Sequence, residues 1–196
     1  MFENTVKNQL ASKFNNTTQL SQHLSKSIFI FSVGNNDYIN TYFGFLQTRR
    51  RFNPQQFAKL LIDTLSQQLQ KLYNLGARKM VIFELGPIGC IPSIVRSSKS
   101  NNGRCDDEKN QMVSLFNTQL ASLLSNLTLT LQDSHFAWGN GTFSCIPQLT
   151  PCLVPDEHYF WDGYHLTQAT CSVIASRCIS GSDLCLPMNI QQLVQA

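Results

Sequence analysis

Apolar residues recur along the chain with two different periods, and the switching between them predicts the architecture. Residues 27–33 are a continuous run of β-branched and aromatic side chains that breaks at Gly34. A run of that length and composition reads as a strand buried on both faces. The period then becomes helical. Asn53 is a good N-cap, Pro54 suits the first helical position, and Phe57, Leu61, Leu65, Leu69 and Leu72 trace one face to a stop at Gly76. A second buried strand is predicted over 79–84, followed by the turn-rich segment 86–92. Strand, helix, strand is a parallel βαβ unit with a right-handed crossover.

Beyond it, an amphipathic helix is predicted over about 106–127, with Met112, Phe116, Leu120, Leu123 and Leu127 on one side. A weaker strand is predicted over 128–138, a loop over 139–155, a last helix over 167–176 and a cysteine-containing tail. Residues 6–25 are weakly helical and interrupted at Asn15, Asn16, Thr17 and Thr18. No internal repeat, low-complexity tract or linker divides the 196 residues, so a single α/β domain is the economical expectation.

Composition narrows the class. Charged residues make up 14% of the chain, against roughly 25% in ordinary domains. The formal net charge is +3, which gives no nucleic-acid footprint. Surface polarity comes instead from 65 Asn, Gln, Ser and Thr residues. Seven cysteines, at 90, 105, 145, 152, 171, 178 and 185, favour an oxidising compartment. They form no close zinc-type pair, so no metal is expected. Four Asn-x-Ser/Thr sequons, at Asn15, Asn16, Asn126 and Asn140, fit a secretory protein. The residues after Met1, however, lack the basic and apolar regions of a signal peptide, and no run is long enough to span a bilayer. These two observations together predict that the beginning of the chain is missing.

Loops at the carboxyl ends of parallel strands are where α/β sheets place ligands. Gly34, Asn35, Asn36 and Asp37 stand there after the first strand. Two readings are open: a rigidly held amide that donates to an oxyanion, or an Asn/Asp turn that caps itself. The second candidate is Asp162 with His165, flanked by Phe160, Trp161 and Tyr164. A carboxylate three residues before a histidine can accept from one ring nitrogen and leave the other to take a proton, with the aromatics limiting water. The alternative is a turn-forming Asp162 and a surface histidine. His23, His135 and His158 have no partner at useful spacing and are read as structural.

In order, the Gly34, Asn36, Asp37 block, the Leu85-Gly-Pro-Ile-Gly-Cys-Ile-Pro92 segment and the Asp162-x-x-His165 block resemble the plant GDSL esterase/lipase family of SGNH hydrolases. The resemblance covers nearly the whole chain. It implies a three-layer α/β/α, flavodoxin-like fold and carboxylic-ester hydrolysis by Ser-His-Asp chemistry without a cofactor. His165 would be the general base, Asp162 its orienter and Asn36 an oxyanion-hole donor, while Gly34 and Asp37 would shape their block. Partners would be small-molecule or lipid esters, with neither nucleic acid nor an integral membrane segment. The location implied is extracellular or secretory, and the cysteine pairs implied are Cys90 with Cys105, Cys145 with Cys152 and Cys178 with Cys185, leaving Cys171 free.

The departures are as informative. No Gly-Asp-Ser occurs in the 196 residues, so the family's nucleophile has no counterpart here. The stretch before Trp138 also looks shortened. Residues 1–196 are therefore expected to be the carboxyl-terminal two-thirds of one hydrolase domain, lacking its first strands and inactive as it stands. The alternative is a non-catalytic remnant or pseudoenzyme with at most a binding role. Loss of two core strands would leave the strand at 27–33 as an apolar edge that invites pairing with other chains. Buried side chains contribute about 1.5–3 kcal/mol each against a total stability of about 5–15 kcal/mol, so marginal folding or aggregation is expected.

Overall fold

The computed structural model describes residues 2–97, 103–139 and 155–196. Its helices are α1 (Phe2–Thr5), α2 (Thr17–Lys26), α3 (Leu46–Arg51), α4 (Pro54–Asn74), α5 (Pro92–Ser97), α6 (Asp107–Thr130), α7 (Gln168–Ser180) and α8 (Ile190–Gln195). The strands are β1 (Ile28–Phe31), β2 (Lys79–Phe83), β3 (His135–Gly139) and β4 (Cys185–Leu186). They form one sheet in the order β1-β2-β3-β4, with β1, β2 and β3 parallel.

β2 is the centre of the molecule. Met80, Val81 and Ile82 are all at most 1% exposed, because successive side chains point to opposite faces and both faces are covered. Met80 and Ile82 join Phe136 and the inner faces of α4 and α6 in the larger core. Val81 joins Ala137, Cys178, Leu184 and Leu193 in a smaller core beneath α7 and α8. This is the helix-sheet-helix layering expected from the resemblance.

The βαβ prediction holds closely. Asn53 caps α4 by accepting from the Gln56 amide, and the Gln56 side chain returns the bond to the Asn53 amide. Phe57, Leu65, Leu69 and Leu72 are buried as their spacing requires, with Ala58 and Ile62 beside them and Leu61 at the margin. On α6 the buried stripe is Val113, Phe116, Leu120, Leu124 and Leu127, while Met112 and Leu123 are half-buried at its edge.

Other expectations are corrected. The third strand begins at His135, since α6 continues to Thr130: the Thr128 and Thr130 hydroxyls donate back to the carbonyls of Leu124 and Asn126. Helix α7 runs to Ser180, beyond the expected Ser176, with Cys178 buried in the smaller core. The sheet is not wholly parallel, because β4 pairs antiparallel with the end of β3. The disulfides Cys90–Cys105 and Cys178–Cys185 are formed and Cys171 is free and exposed. The remaining expected pair, Cys145 with Cys152, lies outside the described residues. His23 packs against Phe14 and His135 opens β3. Among the described residues no helix is long and apolar enough to cross a membrane.

β1 pairs only with β2 and forms an edge of the sheet. Phe29 and Phe31 pack on the larger core, but Ile30, which faces the other way, is 57% exposed. We therefore predict that Ile30→Lys raises the soluble fraction in a concentration-dependent aggregation assay. Because the side chain is outside the core, the change should cost under about 0.5 kcal/mol in denaturant unfolding. Unchanged aggregation would mean that another surface drives association.

Candidate active site

The loops that follow the parallel strands lie at their carboxyl ends, and β1 and β2 place theirs side by side. Gly34 has φ 108°, a left-handed conformation that side chains rarely adopt, and a Cβ there would stand 3.0 Å from the Leu85 side chain. The turn after β1 is thus seated on the loop after β2. Leu85 is fixed in turn by Asn117 of α6: the Leu85 amide donates to Asn117 Oδ1 (2.9 Å) and Asn117 Nδ2 donates to the Leu85 carbonyl (2.8 Å). Asn110, two turns earlier on α6, accepts from the Gly89 amide at 2.7 Å. Sequence reading missed both residues. The signal was present: Asn117 interrupts the apolar stripe between Val113, Phe116 and Leu120.

From this clamped loop, α5 reaches the second motif. The Ser93 amide donates to the Gly163 carbonyl at 3.0 Å, which ties the α5 segment to the loop that carries Asp162 and His165. That loop is a tight reversal closed by a bridge between Phe160 and Leu166 and by the Trp161 amide donating to the His165 carbonyl at 2.8 Å. Buried Thr167 ends it, donating its hydroxyl to the His158 carbonyl (2.7 Å) and capping α7 through the Thr170 amide.

Within the reversal, Asp162 uses both carboxylate oxygens. Oδ1 accepts from the amides of Tyr164 and His165, each at 2.7 Å, and Oδ2 stands 2.7 Å from His165 Nδ1. An ionised carboxylate can only accept, so Nδ1 carries a proton, and in the neutral imidazole this leaves the lone pair on Nε2. The His165 hydrogen bond, followed by the two amides, holds the Asp162 carboxyl down to about 2. The pair is assembled as its spacing suggested, and both features of the alternative, a turn-forming Asp162 and an exposed histidine, are present in the same geometry.

Two expectations are revised. Trp161 and Tyr164 are 68% and 53% exposed and do not shield the pair, whereas Phe160 is half-buried. The side chain of His165 is 75% exposed. Asn36 occupies the cap position of the helical turn Asp37–Tyr42 but makes no side-chain capping bond, so the turn does not cap itself. Its amide is exposed and makes no hydrogen bond to Asp162 or His165. The turn is instead held by the Tyr38 amide donating to the Gly34 carbonyl at 3.1 Å and by Tyr38, which is fully buried. Among the described residues, no cluster of three His, Cys, Asp or Glu side chains is placed to hold a metal.

Residues 4–178 match the family described as GDSL-like lipase/acylhydrolase. The chain belongs to that family. It is 35% identical to the Arabidopsis thaliana protein GDSL esterase/lipase At1g71691, over 98% of this chain and 58% of the relative. It is 34% identical to GDSL esterase/lipase 7 of the same plant, over 99% of this chain and 63% of the relative. The chain thus spans about three-fifths of the length of these relatives. The first alignment runs over 225 positions, more than the 196 residues of this chain, so relatives of this GDSL-like chain carry residues inside the matched region that it lacks.

Two measurements test this geometry. Carbon-detected titration of the Asp162 carboxyl should give a midpoint of about 2, and His165→Ala should raise it. The contribution of the Asp162 bonds is fully present above the ordinary carboxyl range and is lost as pH falls from there through about 2. Asn117→Ala strips two buried backbone groups of their partners and should destabilise the fold by about 2–4 kcal/mol in chemical unfolding. A loss under about 0.5 kcal/mol would show that the clamp is not needed.

Proposed function

We propose that this chain carries the base half of a GDSL-type serine esterase site and that its chemistry is hydrolysis of carboxylic esters. The observation that supports this reading most directly is the Asp162–His165 pair, in which the Nδ1 proton is bound and Nε2 is left to act as base. His165 accepts the proton of the attacking serine hydroxyl, and the serine oxygen forms the acyl bond as the alcohol departs with that proton. Water then repeats the transfer and releases the acid. Asp162 orients His165 and stabilises the imidazolium, and the unspent Asn36 amide donates to the oxyanion. Gly34 and Asp37 shape the block that presents Asn36.

The nucleophile is the element this chain does not supply, since none of its 196 residues forms a Gly-Asp-Ser. Residues 1–196 act as part of one hydrolase domain, inactive by themselves. A non-catalytic role with at most ligand binding is the second reading, favoured by that same absence and by the open surroundings of His165. The two disulfides and the exposure of Asn15 and Asn126 support a secretory location and glycosylation.

A fluorophosphonate probe should label no serine of the 196-residue chain. Expressed together with the coding sequence found in frame upstream, the protein should label at a Gly-Asp-Ser serine and hydrolyse a short-chain p-nitrophenyl ester. His165→Ala should then lower kcat by at least about a thousandfold. Turnover unaffected by that substitution would remove His165 from the mechanism, and degenerate upstream sequence with no labelling would favour the binding-only reading.

A further inference from the structure

The helical turn Asp37–Tyr42 leads directly into a surface that the ester chemistry does not use. Gly44 follows it so closely that a Cβ would stand 2.2 Å from the Asn40 carbonyl oxygen, and the chain emerges as Phe45 and Leu46, 62% and 54% exposed. Helix α3 then presents Arg49, Arg50 and Arg51, all exposed, in its last turn.

These apolar groups are not exposed through looseness. The segment is pinned from behind: the Tyr42 hydroxyl donates to the Phe52 carbonyl at 3.3 Å, the Phe52 amide donates to the Thr48 carbonyl at 2.9 Å, and Tyr42 stacks on Phe57 with ring centroids 4.5 Å apart. Nor is the charge neutralised. Residues 38–62 contain no Asp or Glu, and Asp63, the first carboxylate after them, is engaged by Lys59 at 2.8 Å. Among the described residues, none of the three arginines forms a salt bridge.

We propose that Phe45, Leu46 and the arginines of α3 form a docking surface for a lipid bilayer bearing anionic headgroups. Charge complementarity selects the occupant. Two exposed apolar residues followed within five positions by three exposed arginines match an interface in which the ring and methyls enter the acyl boundary while the cations meet lipid phosphates. A soluble polyanion would satisfy the arginines and leave Phe45 and Leu46 in water. The claim concerns binding alone and is independent of the ester reading, since neither His165 nor a nucleophile takes part.

Co-sedimentation of the 196-residue chain with vesicles tests it. Binding is expected to vesicles of phosphatidylcholine with phosphatidylglycerol and not to phosphatidylcholine alone, and it should weaken on raising salt from about 0.1 M to about 0.5 M. Each arginine is worth roughly fivefold in partitioning, so Arg49→Gln, Arg50→Gln and Arg51→Gln together should lower it by about 100-fold. Phe45→Ser with Leu46→Ser should lower it by at least about tenfold while leaving the far-UV spectrum unchanged. Equal binding to both vesicle types, or binding unaffected by either variant, would overturn the proposal. So would binding to soluble polygalacturonate with no vesicle binding, which would make the surface a polysaccharide site.

Discussion

The two-sided burial of β2 is the constraint from which the rest of the structure follows. A strand whose Met80, Val81 and Ile82 are all excluded from water requires helices on both faces of the sheet, and it obtains α4 and α6 on one and α7 and α8 on the other. The same strand fixes where its own carboxyl end emerges. Leu85 follows immediately, buried and held at both backbone groups by Asn117, and against Leu85 rests Gly34 at the end of β1. The candidate site is therefore built outward from the core by short steps, each anchored to the one before.

The Asp162–His165 reversal is the outermost of those steps. Its internal order comes from Asp162, which organises two amides and one imidazole with a single carboxylate, and its position comes from α7 behind it and the Ser93 amide in front. Such an arrangement orients a base without enclosing it. The family match over residues 4–178 spans this pair, the Asn36 block and the Leu85-to-Pro92 segment. The arginine-rich helix α3 stands apart from that logic, and its exposed apolar neighbours point toward a surface rather than a small molecule.

Features with a strong local cause were legible in the residues. The start of α4 follows from the Asn53 cap and Pro54, and the strands at 28–31 and 79–83 follow from short apolar runs rich in Ile, Val and Phe. The Asp162–His165 pair was legible because three residues of separation suffice to close it. What escaped depends on distant partners. The Thr128 and Thr130 pattern suggests a strand, yet back-bonded hydroxyls and the buried Leu127 keep it helical. β4 exists because Cys185 and Leu186 find the end of β3, and Asn117 matters because Leu85 lies 32 residues away. The exposure of Trp161 and Tyr164 was not legible either, since residue type alone does not say which aromatics are covered.

The central claim is that Asp162 holds His165 with its proton on Nδ1 and Nε2 free to act as base. Two-bond proton–nitrogen correlation of the neutral His165 ring reads this directly. The account predicts a protonated Nδ1 and an unprotonated Nε2, with both nitrogen shifts moving toward tautomer-averaged values in Asp162→Ala. Protonation at Nε2 in the unaltered protein would contradict it.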